Sequence, residues 1–190
     1  MSAAQKPYTA YADYLAFERA SAEKHEYLRG EIFAMVGGTP EHARLQSALS
    51  RELGIALSGR PCNVYSSDLR LRIAATERSC YADVVVICGP VEPASDDADA
   101  ATNPLVIVEV LSDSSEASDR GEKFAHYRRV PSLRDYLLVS QKEQRIEVYS
   151  NDGERWFLTD ATAGGAVRIS SLGVSLEVDA VYRNPAAARS

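Results

Sequence analysis

LVIVEVLSDSSEASDRGEKFAHY, residues 105–127, is the stretch whose reading decides the fold. It opens on Leu105-Val106-Ile107-Val108, a continuous apolar run expected of a strand buried on both faces. Glu109 interrupts that run without any change in its surroundings, since Val110 and Leu111 follow. A carboxylate there costs several kcal/mol of desolvation. A metal ion, a basic partner or a raised pKa must offset the cost. A polar turn comes next, with Ser118 as the expected N-cap of a helix. That helix carries Asp119, Lys123 and Tyr127 at i, i+4 and i+8, on one face, so Lys123 is expected near the end of the Glu109 strand.

Upstream, Tyr81 to Cys88 reads as a second apolar strand, with Asp83 as its one acid, and residues 89–103 read as an acidic Pro/Ala loop without periodicity. If that loop joins two antiparallel neighbours, the register set by its midpoint brings Asp83 opposite Glu109. Paired carboxylates on one face suit a hard divalent ion such as Mg²⁺ or Mn²⁺. A nearby lysine suits an attacking water or a developing phosphorane charge.

Earlier still, residues 8–29 hold a helix-like pattern, and Tyr27 to Met35 reads as two strand pieces about a turn at Arg29-Gly30. Thr39 caps a helix that starts at Pro40, repeats apolar residues from Ala43 to Leu57 and stops at Gly59-Arg60-Pro61. Asn63 to Ile73 reads as one half-buried strand with Asp68, Arg70 and Arg72 on its solvated parity. Downstream, Pro131 ends the Lys123 helix and residues 136–139 form a buried strand. A hairpin turns at Asn151-Asp152-Gly153, and the tail offers one strand and a short amphipathic piece near Val178–Tyr182. The sum is a mixed α/β, or α+β, layer fold.

At 190 residues and 45% hydrophobic, the chain has enough apolar material for a sizeable core. No apolar run nears the ~18–20 residues that span a bilayer, and MSAAQKPYTAYADYL lacks the pattern of a signal peptide. Cys62, Cys80 and Cys88 are odd in number and without a CxxC pair, which argues against a disulfide and for a cytoplasmic protein. A net charge of −6 argues against a passive DNA-coating module more than against a nuclease that meets phosphates through bound cations.

The ordered set Tyr27-Leu28-Arg29-Gly30-Glu31-Ile32, Glu41-His42, Ser67-Asp68-Leu69, Ala82-Asp83-Val84-Val85-Val86, Val108-Glu109-Val110-Leu111-Ser112 and Asp119-Arg120-Gly121-Glu122-Lys123 resembles the PD-(D/E)XK nuclease superfamily. It is most similar to the Uma-two family of restriction-endonuclease-like proteins, from about Tyr14 to Tyr182. The resemblance implies a restriction endonuclease-like core of helix, three strands, helix and strand, with an added β-hairpin. It also implies one domain over 1–190: an N-terminal helix and strands (1–39), the nuclease-like core (40–140), and the hairpin and C-terminal extension (141–190).

The implied activity is metal-dependent hydrolysis of phosphodiester bonds in DNA. Asp83 and Glu109 would bind Mg²⁺ or Mn²⁺, with the Val110 carbonyl as a third ligand and Glu31 completing the site. Lys123 would stand for the family's catalytic lysine, and His42, Asp68 and Asp119 would support. Two positions depart from the motif: Ala82 stands where Pro is expected, and Leu111 where Lys is expected. The rival reading is a degenerate nuclease fold kept as a nucleic-acid-binding or protein-interaction module, and metal binding separates the two. The hairpin's open edge also suggests a homodimer.

Overall fold

The computed structural model describes residues 8–186, so residues 1–7, the start of the stretch read as no signal peptide, lie outside it. In chain order it has α1 (Tyr11–Ala20), the hairpin β1 (His25–Leu28) and β2 (Glu31–Ala34), α2 (Pro40–Ala56), β3 (Cys62–Ser66) and β4 (Arg70–Ile73). Next come β5 (Arg78–Tyr81), β6 (Val84–Cys88), β7 (Pro93–Ala94), β8 (Asp97–Ala101) and β9 (Val106–Val110). A helical stretch follows as α3 (Glu116–Ser118), a π-helical turn (Asp119–Lys123) and α4 (Phe124–Tyr127). β10 (Asp135–Val139), the hairpin β11 (Arg145–Asn151) and β12 (Trp156–Thr162), the pair β13 (Ala166–Ile169) and β14 (Val174–Glu177), and α5 (Val178–Tyr182) complete the chain.

The central sheet runs β12-β11-β10-β9-β6-β3. Taken with α2 and the 116–127 helix, it is the restriction endonuclease-like core expected from the sequence. β9 and β10 are parallel, and β6 meets β9 antiparallel with Val84 opposite Val108, which is the register that faces Asp83 with Glu109. Both faces are covered, as continuous apolar runs require. Val84, Val86, Val106, Val108 and Val110 pack with Leu45, Leu49 and Leu53 of α2. On the other face Val85, Ile87, Ile107 and Leu111 pack with Tyr127, Val130 and Leu133. A second sheet, β2-β1-β5-β4-β8-β7, is built from strands between His25 and Ala101.

The structure departs from the sequence-based expectations wherever the chain changes sheets. Asn63–Ile73 is two strands, because Ser66 turns the chain through Leu69 N–H and the Asp68 N–H, and β4 joins the second sheet. Tyr81–Cys88 likewise divides at Ala82-Asp83 into β5 and β6 of different sheets. The 89–103 loop carries β7 and β8, and β8 runs parallel to β4.

Two acids in that segment have buried partners. Asp97 binds Arg70 at 2.7 Å and Asp96 binds Arg72 at 2.8 Å, so these arginines are core residues and not a solvated face. Their charges demand partners that a polarity pattern does not reveal. Cys62 and Cys88, paired across β3 and β6, form a disulfide, contrary to the expectation of unpaired thiols, while Cys80 is buried and free. The bond removes the cysteine argument for a cytoplasmic location. Ser118 lies inside its helical stretch and caps nothing, and the tail has two strands where one was expected. No described helix is long and apolar enough to cross a membrane.

Candidate metal and catalytic site

Glu109 leaves β9 on the side of Ile107 and Leu111, toward the 116–127 helix. Its side chain is 4% exposed, and Oε1 accepts hydrogen bonds from the Tyr127 hydroxyl at 2.7 Å and from Lys123 Nζ at 3.1 Å. Asp83 sits where the chain passes between the two sheets. Its N–H points to Glu109 Oε2 at 3.4 Å, while its Oδ2 accepts the Val110 N–H at 2.7 Å and meets His42 Nε2 at 3.2 Å. The carboxylates expected to face one another are therefore laced together through backbone N–H groups.

Two further elements close the site. The first turn of α2, capped by Thr39 Oγ1 accepting the His42 N–H, presents His42. The Gln46 side chain, one turn on, donates to the Asp83 carbonyl at 2.8 Å. The π-helical turn, a form that recurs at functional sites, brings Asp119 Oδ1 to 3.3 Å from Lys123 Nζ. Leu111, in the position of the motif's lysine, is buried among apolar side chains on Glu109's face, so the cation at Glu109 comes from the helix instead.

These groups line a cavity of about 430 Å³ whose rim includes Phe33, Val36, Thr39 and Ser112. A second cavity of about 420 Å³ lies at the opposite end of β9 and β10, around Leu105 and Asp135, and holds none of the expected site residues.

Carboxylates outnumber cations in the first cavity. Glu26, Asp83, Glu109 and Asp119 line it with Lys123 and His42. Burial pushes the Glu109 carboxyl well above the usual carboxylate range; Lys123 works against this, and the charges of Asp83 and Asp119 add to it. Burial also opposes the Lys123 ammonium, but Glu109, Glu26 and Asp119 outweigh it and raise its pKa. His42 is raised above its ordinary value, first by its hydrogen bond to Asp83. Asp119 Oδ1 is buried and, despite its nearness to Lys123, has no well-aimed hydrogen bond.

A deficit of positive charge, an orphaned carboxylate oxygen and two facing acids fit a divalent cation. No group of three or more His, Cys, Asp or Glu side chains among the described residues converges to hold a metal unaided. Asp83 and Glu109 would therefore share the ion with the Val110 carbonyl and with water, which suits Mg²⁺ because it dehydrates reluctantly.

Of the residues singled out from the sequence, Asp83, Glu109, Val110, Lys123, His42 and Asp119 come together. Glu31 does not line the cavity. It pairs with Leu28 one step along the hairpin, and the hairpin acid at the site is Glu26, opposite Phe33. Asp68 is exposed and ion-paired with Lys24, away from the cavity lining. Glu26 carried no sequence signal, because HEYL is too short and too polar to separate its faces.

Comparison with known proteins extends this picture. The Uma2 family, described as "Putative restriction endonuclease", matches residues 11–181. An uncharacterized protein of Synechocystis sp., slr1290, is 40% identical over 172 residues, covering 90% of each chain. A second from the same organism, sll1609, is 40% identical over 150 residues, covering 78% of this chain and 85% of its own. A crystal structure from Anabaena variabilis, described as a "putative nuclease belonging to DUF820", superposes with a TM-score of 0.73 at 16% identity, covering 93% of this chain and 98% of that one. That likeness shows the fold.

Proposed function

The chain belongs to the Uma2 family, and on that premise we propose that it is a divalent-metal-dependent endonuclease that hydrolyses phosphodiester bonds in DNA. The observation that carries the reading is the convergence of Asp83, Glu109 and Lys123 in one cavity, with Glu109 buried so deeply that its pKa is raised even beside Lys123. Asp83, Glu109 and the Val110 carbonyl would hold Mg²⁺ or Mn²⁺, which when bound supplies Lewis-acid polarisation of the phosphate and a more acidic water.

The remaining work falls to the chain's own groups. Three carboxylates keep Lys123 charged, so its Nζ donates a hydrogen bond and stabilises developing negative charge; it is a poor proton acceptor. The Tyr127 hydroxyl fixes Glu109 Oε1, and the Val110 N–H fixes Asp83 Oδ2, so both carboxylates are oriented before substrate arrives. We propose the cytoplasm as its place of action and a homodimer, formed along the exposed β12 edge with Phe157 and Leu158, as its assembly.

Leu111 at the motif's lysine position is the observation that favours the rival reading, a binding module without turnover. Calorimetry with Mn²⁺ on the wild type, Asp83→Ala and Glu109→Ala decides between them. Binding by the wild type that both substitutions abolish, together with plasmid nicking lost in Lys123→Ala, is the expected result. A folded wild type that binds no Mn²⁺ at millimolar concentration leaves the module.

A further inference from the structure

Lys123 is gripped from three elements. Nζ lies 3.1 Å from Glu109 Oε1 on β9, 3.3 Å from Asp119 Oδ1 one turn back on its own helix, and 4.0 Å from Glu26 Oε1 on β1 of the other sheet. The last is a charge contact, not a hydrogen bond. Glu26 is itself tied down, because Arg78 Nη2 donates to its Oε2 at 2.9 Å, and Arg78 is only 5% exposed. The register accounts for the pairing: Leu28 sits opposite Arg78 on the neighbouring β5, so Glu26, two residues away, shares Arg78's face. An arginine stays charged even when buried. Glu26 thus stands between a permanent cation and the lysine, one oxygen toward each.

We propose that Glu26 is a positioning residue that holds the Lys123 ammonium at the Glu109 end of the cavity, with Arg78 fixing Glu26 in turn. Its consequence for turnover rests on the nuclease reading given above. A lysine on a four-carbon stem has many rotamers, and Glu109 and Asp119 hold Nζ only from β9 and from its own helix. Glu26 pulls it from the opposite sheet, so the ammonium stays at the cavity wall where a phosphate would meet it. On this reading the N-terminal hairpin is part of the reaction centre.

The test is reductive methylation of the full-length protein, with the extent at Lys123 read by peptide mass mapping against the exposed Lys142. It is run on the wild type, Glu26→Gln, Glu26→Asp and the exposed control Glu154→Gln, alongside nicking kinetics with Mg²⁺. In Glu26→Gln, labelling of Lys123 should rise at least about fivefold and kcat should fall about 10–100-fold, the range seen when a residue that orients a site group is removed. KM for DNA and Mn²⁺ binding should hold. Glu26→Asp, which keeps the charge and withdraws it by one methylene, should fall between, and Glu154→Gln should match the wild type. In a Lys123→Met background, Glu26→Gln should cost no further activity. Unchanged Lys123 labelling in either folded Glu26 variant overturns the proposal. A wild type that nicks nothing, yet whose labelling responds to Glu26, leaves the positioning intact and overturns the nuclease reading.

Discussion

Burial holds a proton on Glu109 more tightly than water would, and Asp83 does the same for the His42 imidazole. On the proposed reading, a divalent ion held by Asp83 and Glu109 would compete with protons at these two positions. Mn²⁺ affinity should therefore climb between pH 6 and pH 8, by up to about tenfold per pH unit for each proton released. Calorimetry in two buffers of different ionisation enthalpy would count those protons; a flat affinity across that range would contradict the assigned ligands. That Asp83, Glu109 and Lys123 come together was legible in the sequence, because each acid stands alone in an apolar run and the lysine recurs at helical spacing from Asp119. Glu26 was not legible, since its identity as a site residue depends on which face of a four-residue strand meets a distant helix.

Among the elements, α2 was read almost to the residue, because Thr39 and Pro40 signal its start locally and three buried leucines and one alanine mark its inner face. Its contributions can be measured by urea denaturation. Removing the cap in Thr39→Ala should cost about 1 kcal/mol. Leu49→Ala, at a fully buried position against the central sheet, should cost about 2–5 kcal/mol. Gly30→Ala should also destabilise: φ is +88°, and a methyl group there would collide with the Tyr8 ring.

The strands around residues 63–73 and 81–88 were misread for a different reason. Each keeps one polarity pattern while passing from one sheet to the other, and neither Gly nor Pro marks the passage. The partners that make it stable, Asp96 and Asp97 for Arg72 and Arg70, lie more than twenty residues downstream.

For the whole molecule, the layered core was legible from the order of its runs, whereas the second sheet was not, since it is assembled from short pieces scattered between residues 25 and 101. The proposed assembly belongs to this scale. β12 is an edge strand of seven residues with Phe157 and Leu158 exposed. Sedimentation should show a dimer for the wild type and a monomer for Leu158→Lys, because a charge on an open edge opposes pairing. A wild type that sediments as a monomer at all concentrations rejects that interface.

The π-helical turn leaves one possibility for separating parts of this protein. Such a turn amounts to one residue of surplus length in a helix, and Gly121 lies within it with open space around its α-carbon. Excising Gly121 should let the segment relax to ordinary helical pitch and rotate everything beyond the excision by about 100°. Lys123 would then leave Glu109 or drag Tyr127 out of the core with it. A single deletion is thus expected to separate the placement of the lysine from the scaffold that carries it.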